Sequence, residues 1–222
     1  MSRLKSHHHL RFSSWEKSFL ILLLLAATFV FAYQVLLVFH YESLVWDEKV
    51  FIYVRSHQSA FVSGLMKVFT FIGSAWVLVP AYLLLMAWAF YSLRNKWLTL
   101  HIFIISVSSL LMMLMLKNIF KRQRPDHSLI GEVSGMSFPS GHSYMSFTFF
   151  GLLIYLIQRS SLTVVWKRIF QFTCFITASV IALSRVYLGV HYFSDVLAGM
   201  CLGWIGLILT GFIFYLWHRE QL

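Results

Sequence analysis

Charge is scarce in this 222-residue chain. Asp, Glu, Lys and Arg together make up 12% of it, about half the share of an ordinary soluble domain. Acid is the scarcer sign, with 8 Asp and Glu against 18 Lys and Arg, a net charge of +10. With no polar domain to hold that excess, anionic lipid or a phosphorylated substrate is the better partner, and nucleic acid is excluded. The chain has three prolines and no Ser/Gly-rich linker, which excludes a string of separate domains; residues 1–222 read as one. Its two cysteines, Cys174 and Cys201, sit inside apolar runs. They behave as small buried hydrophobes and exclude a disulfide scaffold or thiolate metal site. No Asn-x-Ser/Thr triplet occurs, and the compact chain reads as bacterial.

Hydrophobic residues make up 59% of the chain. A helix needs about 20 mainly apolar residues to cross a bilayer. Such runs cover Ser18–Phe39, Ala75–Leu93, Leu98–Leu116, His142–Ile157, Ile169–Ser184 and Phe193–Trp217. Val30-Phe31-Ala32 has the look of a signal-peptidase site. The apolar run continues through VLLVF, however, and reads as an uncleaved span. Residues 40–74 are mixed, first charged and then apolar but short, which predicts interfacial or re-entrant helices. The expected fold is all-α, an integral membrane bundle of six transmembrane helices. A short interfacial or re-entrant helical segment lies between spans one and two.

Six spans put both termini on one side. The termini and the connections RNKW and RSSLTVVWKR hold 10 of the 18 basic residues and two acids, Glu16 and Glu220. The positive-inside rule places that side in the cytoplasm. The opposite face holds the other 8 basic residues, of which Lys117, Lys121, Arg122, Arg124 and Arg185 cluster in its last two connections.

Three polar stretches share that outward face. In KNIFKRQRP, spacings of four and seven put Lys117, Lys121 and Arg124 along one helical stripe, and Pro125 ends the helix. The stripe suits an anion site or an interfacial lipid anchor. In FPSGH, Pro139 and Gly141 make a turn and Ser140 is a natural N-cap, leaving N–H groups for an anion. The same stretch also serves an ordinary capped helix. In SRVYLGVHYFSD, His191 and Asp195 are four apart, so carboxylate and imidazole can pair. That pair suits either structure or catalysis.

Taken together, the three stretches supply what phosphoryl transfer needs: fixed cations, N–H donors, an activated nucleophile and an acid. The sequence offers no carboxylate cluster for Mg²⁺ and no second histidine near His142 or His191 at zinc-ligand spacing. The residues suit a metal-free route through a phosphohistidine, with no cofactor.

The chain resembles the type 2 phosphatidic acid phosphatase family, which also includes vanadium haloperoxidases and glucose-6-phosphatase. The resemblance rests on K-x6-R-P at 117–125, P-S-G-H at 139–142 and S-R-x5-H-x3-D at 184–195, all complete and in order. It implies His191 as nucleophile, Asp195 as its orienter, and His142 as acid and then base. It implies Lys117, Arg124, Arg185, Ser140 and Gly141 as the phosphate cradle. Lys121 and Arg122, outside the signature, suit further headgroup contacts to a diphosphate or a doubly charged head. The expected substrate is a lipid phosphate such as phosphatidylglycerol phosphate, undecaprenyl diphosphate or phosphatidate. Lipid A phosphate is an alternative, and so is a transporter or scaffold that keeps the pocket without turnover. A haloperoxidase would use the same pocket for vanadate, but the family implies a soluble protein for that role. The sequence leaves the oligomeric state open.

Overall fold

The computed structural model describes residues 14–41, 44–131 and 133–219, and all their regular structure is helical. The helices are α1 (Ser14–His40), α2 (Val45–Ser56), α3 (Ala60–Ile72), α4 (Ala75–Ala87), α5 (Lys96–Phe120), α6 (Gly141–Arg159), α7 (Val164–Tyr187) and α8 (Phe193–Arg219). A π-helical turn, Trp88–Ser92, prolongs α4. Arg3, Lys5, Arg11 and Glu220, which enter the charge argument, lie outside the described residues.

Among the described residues, five helices are long and apolar enough to cross a membrane: α1, α4 with its π turn, α5, α7 and α8. The remaining long helix, α6, has 19 residues but is more polar. The reason is its place at the centre. It packs along α7 and α8 and also meets α4 and α5. Its Ser143, Tyr144, Ser146 and Thr148 are buried in protein. Lipid never meets those polar groups, so they carry little of the penalty that hydropathy assigns them. The outer helices turn large apolar side chains outward instead, including Phe29, Trp76 and Phe172. The chain is a multi-pass membrane protein.

Close packing of α8 on α6 depends on missing side chains. A Cβ at Gly199 would stand 2.5 Å from the Ser140 carbonyl oxygen, and one at Gly203 would stand 2.7 Å from the Phe147 Cβ. Small residues four apart let two membrane helices touch backbone to backbone.

The mixed region 40–74 forms α2 and α3, of 12 and 13 residues. Both are too short to span a bilayer core. Ser59 caps α3 by accepting from the Val62 N–H.

Two expectations need correction. The stripe joining Lys117, Lys121 and Arg124 does not form, because α5 stops at Phe120 and Lys121 takes a left-handed conformation (φ 47°). Residues 121–125 then leave the helix and point their side chains independently. Likewise VVWKR is not connection but the first turns of α7, which starts at Val164. Tryptophan and basic residues mark the depth of the membrane surface, and a helix can run through it.

Candidate active site

The site forms where the ends of α5 and α7 meet the starts of α6 and α8. Three backbone ties hold these ends together. The Ser140 N–H donates to the Asp195 carbonyl at 3.0 Å, joining the first turns of α6 and α8. The Ser137 N–H donates to the Arg122 carbonyl at 2.8 Å. The Leu129 N–H donates to the Leu188 carbonyl at 2.9 Å, fastening the long 121–140 loop to the α7–α8 turn. That turn is Gly189, at φ +68°, where a Cβ would stand 2.2 Å from the His127 carbonyl oxygen. Only glycine fits both the backbone conformation and the space. The N–H groups of Val190 and His191 then fold back onto the Arg185 carbonyl.

His191 is buried at the centre. Its Nδ1 lies 3.6 Å from Asp195 Oδ2 and 3.3 Å from Ser137 Oγ. Its Nε2 lies 3.2 Å from Arg124 Nη1. A guanidinium can only donate, so Nε2 carries the lone pair and Nδ1 the proton. Ser137 gives its own hydroxyl proton to Asp195 Oδ2 at 2.5 Å, which leaves its oxygen free to accept from Nδ1. The Tyr192 N–H also donates to Oδ2, at 2.9 Å. Asp195 is thereby fixed as the acceptor behind the ring.

The cations converge on the side of Nε2. Arg124 reaches it by donating to the carbonyls of Gly135 at 2.9 Å and Val190 at 2.8 Å. Lys117 donates to the Met136 carbonyl at 3.0 Å. Arg185 donates to the Thr70 hydroxyl, and its Nε is buried without a hydrogen-bond partner. Lys117, Arg124 and Arg185 lie close enough to feel one another's charge. His142, in the first turn of α6, lies close enough to all three and to His191 to feel their charge. Ser140 caps α6, its Oγ accepting from the Ser143 hydroxyl at 3.0 Å, and Gly141 follows it in the first turn. A cavity of about 620 Å³ opens beside Arg124, lined by Pro125, Asp126, Ser128, Ser134 and Val190 among others.

The arrangement thus combines an oriented imidazole, three cations and the start of a helix. Residues 97–221 match the PAP2 superfamily. The chain belongs to that superfamily. Among relatives, phosphatidylglycerophosphatase B of Bacillus subtilis is 31% identical over 135 residues, 60% of this chain and 66% of that one. A lipid A 1-phosphatase of Rhizobium johnstonii is 33% identical over 134 residues, 55% of this chain and 50% of that one. The matched segments therefore span about two thirds and half of these relatives. The crystal structure of a PAP2-type phosphatidylglycerolphosphate phosphatase from Bacillus subtilis superposes with a TM-score of 0.75 at 24% identity, covering 84% of this chain and 94% of that one. The structure of Aquifex aeolicus LpxE gives a TM-score of 0.59 at 26% identity, covering 76% and 96%.

This PAP2 chain places Lys121 and Arg122 in opposite settings. Lys121 is exposed to solvent. Arg122 is buried and turned away from the cations. It donates to Asp195 Oδ1 at 2.6 Å, Asp47 Oδ2 at 2.9 Å and Ser194 Oγ at 2.7 Å. Its guanidinium also lies over the Tyr192 ring, 4.3 Å from the centroid.

Burial sets the protonation of the groups in these loops. It pushes the His191 imidazole down to about 4, only partly offset by Asp195, so the ring is neutral at neutral pH. It also lowers Arg124 below the ordinary guanidinium value, with Asp195 acting the other way. For Arg122, burial opposes the charge but the carboxylates of Asp195 and Asp47 outweigh it, and the pKa is raised. Among the described residues, no group of three or more His, Cys, Asp or Glu converges to hold a metal ion.

Sequence reasoning missed Asp47, Thr70, Ser137 and Ser194. Ser137 immediately precedes the FPSGH turn and Ser194 lies inside the His–Asp spacing, so proximity to a motif was a usable signal for both. Asp47 and Thr70 carry no local signal. They sit on α2 and α3, about 75 and 115 residues before Arg122 and Arg185.

Proposed function

We propose that this protein is an integral membrane phosphatase that hydrolyses a lipid phosphate or diphosphate through a phosphohistidine, without a metal or other cofactor. The observation that carries the reading is His191. Its Nε2 lone pair faces the cation cluster while its Nδ1 is turned to Asp195 and Ser137. The unpaired, buried Nε of Arg185 supports an anion in that cluster, because such a donor is costly to leave unfilled.

In this reading Lys117, Arg124, Arg185, Ser140 and the Gly141 N–H hold the phosphate oxygens. Nε2 attacks phosphorus and the bond to the lipid oxygen breaks. His142 gives its proton to the departing oxygen, and Asp195 steadies the positive charge on His191. Water then gives a proton to His142 and its oxygen attacks phosphorus. The P–N bond breaks, releasing inorganic phosphate and neutral His191. The acyl or prenyl tail stays in the bilayer and only the headgroup enters.

The substrates proposed are phosphatidylglycerol phosphate, undecaprenyl diphosphate and phosphatidate, with lipid A phosphate as the alternative. The test is phosphate release by purified protein from these lipids in detergent, with denatured-trap labelling from ³²P-substrate. Label stable to denaturation and lost in His191→Ala is expected; turnover without any labelled intermediate would overturn the covalent route. EDTA should leave activity intact; loss that one divalent ion restores would overturn the metal-free route.

The charge asymmetry favours an outward site in a bacterial cytoplasmic membrane, with both termini in the cytoplasm. Cysteine accessibility in intact cells tests this, with Cys174 and Cys201 replaced. A cysteine at Ser134 should react with an impermeant maleimide, and one at Ser161 only after permeabilisation. The reverse pattern would place the site in the cytoplasm.

A further inference from the structure

Arg122 lies inside the first motif yet faces away from the phosphate cradle. It is buried with two carboxylates, Asp47 and Asp195, both of which are buried too. One guanidinium between two carboxylates leaves a net negative charge in a nearly dry place. Removing that guanidinium would leave two unpaired anions, and the lowest-energy escape is for one of them to take a proton.

The two carboxylates are not equivalent. Asp195 divides its oxygens: Oδ2 serves Ser137, the Tyr192 N–H and the side of His191, while Oδ1 goes to Arg122. Asp47 serves no catalytic group. It accepts from the Ser194 N–H at 2.9 Å and from the Ser194 hydroxyl at 2.5 Å, at the start of α8. It therefore ties α2 to the helix that carries Asp195 and gives Arg122 its second anchor. The Arg122 carbonyl meanwhile holds the Ser137 N–H, so one residue positions both partners that face Nδ1 of His191.

We propose that Asp47 and Arg122 are positioning residues for the phosphatase reaction: Arg122, anchored by Asp47, holds Asp195 ionised and turned to His191, and touches no part of the substrate. The inference rests on the proposed phosphatase activity for its kinetic consequence. It explains why a short helix outside the motifs sends one carboxylate into the protein interior. It also separates two arginines only two residues apart. Arg124 addresses the phosphate side of His191, and Arg122 addresses the opposite side through Asp195.

The experiment compares wild type, Arg122→Gln, Asp47→Asn and the double variant, each purified in detergent. Arg122→Gln should lower kcat by about 10- to 100-fold, as loss of an outer partner of an oriented histidine does, with KM nearly unchanged. Asp47→Asn should lower kcat less. The double variant should be no worse than Arg122→Gln alone, because Asp47→Asn then removes an anion that repels Asp195. A raised KM with unchanged kcat would overturn the proposal and return Arg122 to the headgroup. Independent, additive losses in the double variant would also overturn it.

A second readout needs no substrate. ¹⁵N spectra of histidine-labelled protein in bilayers report the His191 tautomer, which should be Nδ1–H in wild type and mixed in Arg122→Gln. If Arg122→Gln is not recovered folded, Asp47→Asn is read in its place, with a smaller change in the same direction. Unaltered tautomer signals in the variant recovered would overturn the positioning role. Wild type inactive on every lipid, with the tautomer change still present, would fail the phosphatase reading and leave the positioning role standing.

Discussion

Arg185 of α7 is held by Thr70 of α3, its guanidinium donating to the threonine hydroxyl. The contact brings a helix outside the motifs to the edge of the cation cluster. Thr70→Val keeps the shape and removes the acceptor. One lost hydrogen bond to a charged donor is worth about 1.5–3 kcal/mol. Without that acceptor Arg185 must be ordered when phosphate binds, so KM should rise about 3- to 10-fold while kcat changes less. Steady-state kinetics on a lipid phosphate in detergent would measure it, and an unchanged KM would show that Arg185 holds its place without Thr70.

His191→Ala should abolish turnover, because in the proposed mechanism its Nε2 is the atom that attacks phosphorus. Asp195→Asn keeps the proposed nucleophile but loses the carboxylate that fixes its tautomer. By analogy with an oriented catalytic histidine elsewhere, the fall in kcat is roughly 10⁴-fold, still above the His191→Ala background. Equal activity in the two variants would mean that Asp195 does more than orient the ring.

Protonation of His191 should show in both stability and spectra. The folded ring is held near 4 by burial, whereas an unfolded chain titrates near 6.5. Between those values the unfolded state binds more protons, so stability is highest above about 6.5 and falls as pH drops toward about 4. The difference amounts to about 3 kcal/mol. Thermal unfolding in detergent from pH 7.5 to 4.5 should reveal the loss, and His191→Gln should lessen it. Histidine ¹³C signals that place His191 at 6.5 would refute the burial argument.

Gly189→Ala tests the crossing of the two loops. The substitution puts a side chain at φ +68° and against the His127 carbonyl. Left-handed backbone alone costs about 1–2 kcal/mol for a residue with a Cβ, and the clash adds to it. The unfolding temperature and phosphate release should both fall. Wild-type behaviour would mean that the 121–140 loop can move aside freely.

The long helices, the three motifs and the face they share were legible in the sequence, for local reasons. Twenty apolar residues spell a span wherever they lie, and Ser140 at the start of α6 or the four-residue step from His191 to Asp195 works within one turn of helix. What a side chain meets across the fold is another matter. The left-handed residue at Lys121 ended α5 early and sent Arg122 and Arg124 to opposite sides of His191. Asp47 and Thr70 found their arginines only because α2 and α3 fold back over the ends of α7 and α8. Nothing near either residue in the chain encodes that meeting. Their partners are chosen by the burial of charge, which drives each isolated ion to the counter-charge or acceptor that packing brings within reach.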